Sequence, residues 1–185
     1  MNKSKPIELL CERLKNNPLI HVVADYRILE AEKFEFWIAR EEILRLLNKR
    51  TLDVTILTVL QMNLHSISHV KNKCSFLNPH RILAADCQEN PEAIINYIVD
   101  AMRINHGKQF LIALYLQSQQ PGDWECGYYV MKWMTDFVMV EQHGFMSKTA
   151  TPWNDRTPYS ETTLLSTVVQ WATQFLNKYM KDVVG

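Results

Sequence analysis

The sequence predicts an α+β domain rich in helix, and three observations carry that prediction. About five stretches either repeat apolar residues at helical spacing or are apolar nearly all round. Phe110-Leu111-Ile112-Ala113-Leu114-Tyr115-Leu116 is a continuous apolar run of strand length, as expected of a central strand covered on both faces. The composition, 47% hydrophobic and 22% charged over 185 residues, belongs to a globular domain that buries a core without disulfide or metal staples.

Taken in order, residues 1–31 read as an N-terminal leader and 32–185 as the domain. The leader is polar, with a short helical patch that Pro18 breaks after Asn16-Asn17. Over 32–48, Phe34, Trp37, Ile38, Leu44 and Leu47 alternate with Glu35, Arg40, Glu41 and Arg45 as the two faces of an amphipathic helix. Thr51 or Asp53 caps the next helix, from about 54 to 70. Val54, Ile56, Leu57, Val59, Leu60 and Met62 predict that it is largely buried.

Residues 71–90, with Lys71-Asn72-Lys73 and Asn78-Pro79, read as loop. Asn90-Pro91-Glu92 is a helix start: Asn caps, Pro takes the first helical position, and Glu suits the positive end of the dipole. That helix should reach Ile104 and stop before Gly107. Gln117 to Asp123, with Pro121-Gly122, reads as loop. Trp124 to Gln142 is an apolar helix central to its domain, and 143–159, with Gly144, Pro152 and Pro158, is again loop. Ser160 caps a final helix whose inner side is Leu164, Leu165, Val168, Trp171, Phe175, Leu176 and Tyr179.

Several function classes fall away. Lys+Arg and Asp+Glu total 20 each, which argues against a broad basic surface for nucleic acid. No run of 18 apolar residues predicts a membrane span. Charges interrupt Ile7-Glu8-Leu9-Leu10-Cys11-Glu12-Arg13, so it does not read as a signal peptide. Cys11, Cys74, Cys87 and Cys126 share no CxxC spacing. They read as free thiols in a reducing compartment, with no zinc site and no cofactor expected.

The chemistry concentrates in Gln119-Gln120-Pro121-Gly122-Asp123-Trp124-Glu125-Cys126-Gly127-Tyr128-Tyr129-Val130. A cysteine at the start of a buried helix meets free backbone N–H groups and the positive dipole end, which stabilise a thiolate. Gly127 permits close backbone approach. Gln120, six residues before the cysteine and across a Pro-Gly turn, can return its side-chain amide toward a developing oxyanion.

These residues resemble the nucleophile block of the ubiquitin-like protease (Ulp/SENP-type, SUMO-specific) cysteine peptidase family. In that family a glutamine is followed by five residues, the last of them acidic, and then by a Cys-Gly step. Here the block stands as Gln120…Glu125-Cys126-Gly127, in a version similar to protease-like domains of plant transposon-derived proteins. The resemblance implies Cys126 as nucleophile and Gln120 as oxyanion donor. It further implies a papain-like α+β fold, a ubiquitin-like (SUMO-like) protein or its conjugates as partner, and a location in nucleus or cytoplasm. It extends more weakly upstream, through Leu52-Asp53-Val54 to Phe76-Leu77-Asn78-Pro79.

The chain also departs from that pattern. The family places a His-Trp pair and then an aspartate on strands before the glutamine. This chain has no His-Trp, and only Gln117 to Gln119 separate the 110–116 run from Gln120. An internal deletion near 116–118, and so an incomplete sheet, is the simplest account. No histidine is an evident substitute. His106 reads as a solvated helix end, and His143 follows the cysteine, whereas the family's base precedes it. His65 and His69, at i and i+4, lack a third metal ligand. Three readings therefore compete: a processing protease or isopeptidase, a pseudo-protease binding module, and a mobile-element relic without function.

Overall fold

The computed structural model describes residues 4–24, 34–113, 124–139 and 159–180, and of Ala84 and residues 124–126 the backbone alone. It is an α+β protein dominated by helix, with two small sheets among the described residues.

Helix α1 (Lys5–Leu14) carries Pro in its first turn, where the missing N–H costs nothing. Ile7, Leu10 and Leu14 recur at helical spacing and are buried. They belong to one apolar cluster with α8 (Glu161–Tyr179), and the Arg13 guanidinium donates to the carbonyl of Met180 just beyond that helix. The part of the sequence read as a leader thus contributes α1, and also β1 (Leu19–Ala24), to the common core.

β1 pairs antiparallel with β2 (Phe34–Ala39), with Ile20 opposite Ile38 and Val22 opposite Phe36. This corrects the helix expected over 32–48. Only its second half is helical, as α2 (Arg40–Leu47). Phe34, Phe36 and Ile38 fit a strand's period of two as well as a helix, and pairing with β1 decides between them. On the other face His21 stacks on Trp37 at 4.6 Å and bonds to Glu35 at 3.1 Å. The Glu42 carboxylate accepts from the Ala39 N–H at 3.0 Å, which fixes the switch from strand to helix.

α3 (Val54–His65) is capped by the Asp53 carboxylate, which accepts from the Thr55 N–H at 2.9 Å. Every residue from Thr55 to His65 is buried. The helix expected to run to residue 70 stops sooner, because the Ser66 hydroxyl donates to the Asn63 carbonyl at 2.6 Å and Ile67 is extended. A separate short helix, α4 (Ser68–Lys73), follows.

The loop expected over 71–90 is corrected too. It holds β3 (Cys74–Phe76), a 3₁₀ turn (Pro79–Arg81) opened by the Asn78 side chain, and α5 (Ala84–Glu89). Three residues carry no periodic signal; β3 is a strand because it pairs in parallel with β4 (Phe110–Ile112). β4 is half-buried, not covered on both faces, and Leu114 to Leu116 lie outside the described residues.

α6 (Pro91–Ile104) starts as expected, with Asn90 accepting from the Ala93 N–H at 3.2 Å, and ends before Gly107. α7 (Trp124–Met139) buries Tyr128, Met131, Met134 and Val138 against α3 and α8. The Ser160 hydroxyl caps α8, whose Leu164, Val168, Trp171, Phe175 and Leu176 are buried as the spacing predicts.

Leu10 of α1 is fully buried. Leu10→Ala should lower unfolding free energy by about 2–5 kcal/mol, the range for a buried leucine whose site cannot collapse. Urea titration measures this, and a loss below about 0.5 kcal/mol, the scale of a neutral surface change, would place α1 outside the core.

Candidate functional site

Three anchors fix the start of α7. The first is Gly127. A Cβ built there would lie 2.6 Å from Cβ of Leu52 and 3.2 Å from its Cδ2. No real Cβ tolerates that, and Leu52 cannot swing its own Cβ aside. The backbone of α7 therefore rests directly on the segment leading into α3, and glycine is obligatory at 127.

The second anchor is Tyr128, whose hydroxyl donates to the Leu46 carbonyl in the last turn of α2. The ring is 1% exposed, and burial pushes its pKa up to about 12, so the phenol keeps its proton throughout the neutral range. The third anchor is the end of α2 itself. Lys49 takes a left-handed backbone with φ of 53°. Its N–H bonds to the Leu46 carbonyl at 3.1 Å, and the Arg50 N–H bonds to the Arg45 carbonyl at 2.9 Å. This is the double closure usually made by glycine. A lysine there bears a local strain of order 1 kcal/mol, and its ammonium forms an ion pair with Glu161 in the first turn of α8. One corner thus ties α2, α7 and α8 together.

Cys126 is the third residue of α7, next to Gly127. First-turn N–H groups lack intrahelical acceptors and favour negative charge. The side chains of Trp124, Glu125 and Cys126 lie outside the described residues, as does the whole of Gln120, so the separation of the two predicted site residues does too. Further along α7, Tyr129 packs on Tyr159 and Trp133, and Asp136 accepts from the Tyr159 hydroxyl at 2.8 Å while pairing with Lys132.

The histidines are scattered. His106 sits at the exposed end of α6, where Nδ1 donates to the Arg103 carbonyl at 3.0 Å, matching the solvated reading. His65 and His69 stand on different helices, α3 and α4. His65 packs edge-on to Phe76 at 6.4 Å, whereas a His69 ring nitrogen donates to the Val138 carbonyl of α7 at 3.1 Å. No group of three or more metal-ligating side chains gathers among the described residues. His143 lies outside them.

His80 is the residue that sequence reasoning passed over. Its ring lies 5.7 Å from both Phe34 and Phe36, and its Nε2 is buried with no hydrogen-bond partner among the described residues. Burial lowers its pKa, and the nearby Asp53 carboxylate opposes that shift. Asp53 follows Leu52, on which Gly127 rests. No local pattern announces a neighbour 27 positions away; only the fold brings Asp53 and His80 together. Burial also lowers the pKa of His65, helped by the positive charges of Lys108, Lys71 and Lys178.

Comparison of the chain with family models, with curated proteins and with solved structures finds no match.

Gly127→Ala should destabilise the fold by about 1–3 kcal/mol despite a helix-propensity gain of about 1 kcal/mol, because overpacking dominates. The cost should largely vanish on Leu52→Gly, the one change that removes the opposing Cβ; equal destabilisation in both backgrounds, read from thermal melts, would refute the contact. Tyr128→Phe should cost about 1–2 kcal/mol by leaving the Leu46 carbonyl short of a donor.

The pH dependence follows from sign. His65 and His80 have native pKa values below their unfolded ones, so the unfolded chain binds more protons. Their contribution is complete above the unfolded value of about 6.5 and declines as pH falls below it toward the lowered native values. Melting temperature should therefore drop on acidification from neutral toward pH about 5. His65→Phe and His80→Phe should each shallow that slope, and an unchanged slope in both would exclude these histidines as its source.

Proposed function

We propose that the chain is a cysteine peptidase domain of the ubiquitin-like protease type, with a papain-like α+β ancestry and Cys126 as its nucleophile. The observation that carries this reading is the Gln120…Glu125-Cys126-Gly127 block, with Cys126 in the first turn of a long helix and Gly127 seated on Leu52. In this reading the Cys126 thiolate attacks the carbonyl of the substrate's C-terminal glycine. A C–S bond forms as the C–N bond to the leaving amine breaks, and water then hydrolyses the thioester to a free carboxylate and the thiol. The Gln120 amide and first-turn N–H groups hold the oxyanion. The substrate is a ubiquitin-like modifier or its conjugate.

The leaving amine must gain a proton, and this chain lacks the His-Trp step that supplies it in the family. Loss of the base in such enzymes costs several orders of magnitude. The proposed chemistry is therefore thioester formation with leaving groups that depart without protonation, and slow turnover of amides. The absence of His-Trp equally favours a second reading, a pseudo-protease that binds the modifier's tail without cleaving it.

A ubiquitin-like protein bearing a C-terminal electrophile tests both. A one-to-one adduct by intact mass, lost in Cys126→Ala, is the result expected of the peptidase reading. No adduct from a chain that melts cooperatively would reject that reading. If Cys126→Ala still binds the same modifier by calorimetry, the binding module stands; if no ubiquitin-like protein binds either form, both readings fail.

A further inference from the structure

α6 breaks a rule that every other long helix here obeys: it has no buried residue. Its inner side is only half-covered. Tyr97 accepts from the Asn78 N–H at 2.7 Å and lies under the Arg81 guanidinium, with Ile94, Ile98 and Ala101 beside it. A surface helix of this kind normally turns polar residues outward. Here Ile95, Val99 and Met102, at i, i+4 and i+7, form an outward stripe, exposed to 60%, 45% and 60%. That spacing is the seam of a two-helix coiled coil.

The rim of the stripe says what fits it. Glu92 and Arg103 lie along the same flank, at opposite ends of the helix and both exposed. A second helix laid antiparallel brings Glu92 to Arg103 at each end and opposes the two macrodipoles. The surface that supplies this complement is α6 itself, because an isologous antiparallel pair makes the Glu92–Arg103 contact twice.

We infer that α6 is a self-association surface: two copies of the chain pair antiparallel through Ile95, Val99 and Met102, with Glu92 of each copy beside Arg103 of the other. In the register that fits, Ile95 of one copy packs on Val99 of its partner, and Met102 lies over the stem of Glu92. Arg103 also bonds Asp100 of its own helix at 2.7 Å through one guanidinium nitrogen, and its side chain is otherwise largely exposed. One helix face is smaller than the roughly 800 Å² per partner of a standard interface, so the dimer is weak and exchanges rapidly. The inference is independent of the protease reading.

Sedimentation equilibrium of the whole chain over a concentration series tests it. The expected result is a monomer–dimer equilibrium that Val99→Glu weakens about tenfold or more, with the melting temperature unchanged at dilutions where both forms are monomeric, because Val99 supports no core. Glu92→Lys and Arg103→Glu should each weaken self-association, and mixing the two variants should restore it, since the mixed pair carries one contact of the original sign and one with its signs reversed. A single monomeric species throughout the series would overturn the inference and mean that the stripe is covered within the chain or by another protein. A dimer indifferent to Val99→Glu, or mixed variants that associate no better than each alone, would equally overturn it.

Discussion

A helix buried on every side has to be surrounded, and α3 imposes that condition on everything else. From Thr55 to His65 no residue faces open solvent, so β2, the 3₁₀ turn, α4, α7 and α8 must each supply part of its cover. Burying about ten side chains gains roughly 1.5–3 kcal/mol for each large apolar one. It also takes polar groups out of water. The Thr58 hydroxyl is satisfied within the helix by the Val54 carbonyl at 2.8 Å. The Gln61 amide donates to the Leu77 carbonyl at 3.3 Å, tying the helix to the chain leaving β3. Its Oε1, and Nδ2 of Asn63, are buried without partners among the described residues, a cost that the apolar burial outweighs.

The same condition decides where the candidate nucleophile stands. α3 begins at its Asp53 cap, Leu52 precedes that cap, and Gly127 rests on Leu52. The start of α7 is held against the N-terminal end of the central helix, not merely near it. Tyr128 adds a directional hold through Leu46, whose carbonyl also closes the end of α2 by accepting from Lys49. Both anchors set the position and tilt of the first turn of α7, on which any chemistry at Cys126 depends.

The electrostatics around this frame favour neutral groups. Burial disfavours the charged forms of His65 and His80, and Tyr128 retains its proton across the neutral range.

The sequence by itself determined the elements whose signals are local. Asn90-Pro91-Glu92 started α6 and Ser160 started α8, because a cap bonds within three residues of itself, whereas the sequence left Thr51 and Asp53 as alternatives for α3 and the structure chose Asp53. The apolar residues on most sides of α3 announced its burial. Only the tertiary structure decided the rest. Phe34 to Ala39 became a strand because β1 lay ready to pair, and Cys74 to Phe76 became one because β4 did, since three to six residues hold too little periodicity to choose alone. Ile7, Leu10 and Leu14 became core once α8 lay across them. The Leu52–Gly127 contact and the approach of Asp53 to His80 join residues far apart in the chain, and the physical reason they escape sequence reading is that burial and charge act through space.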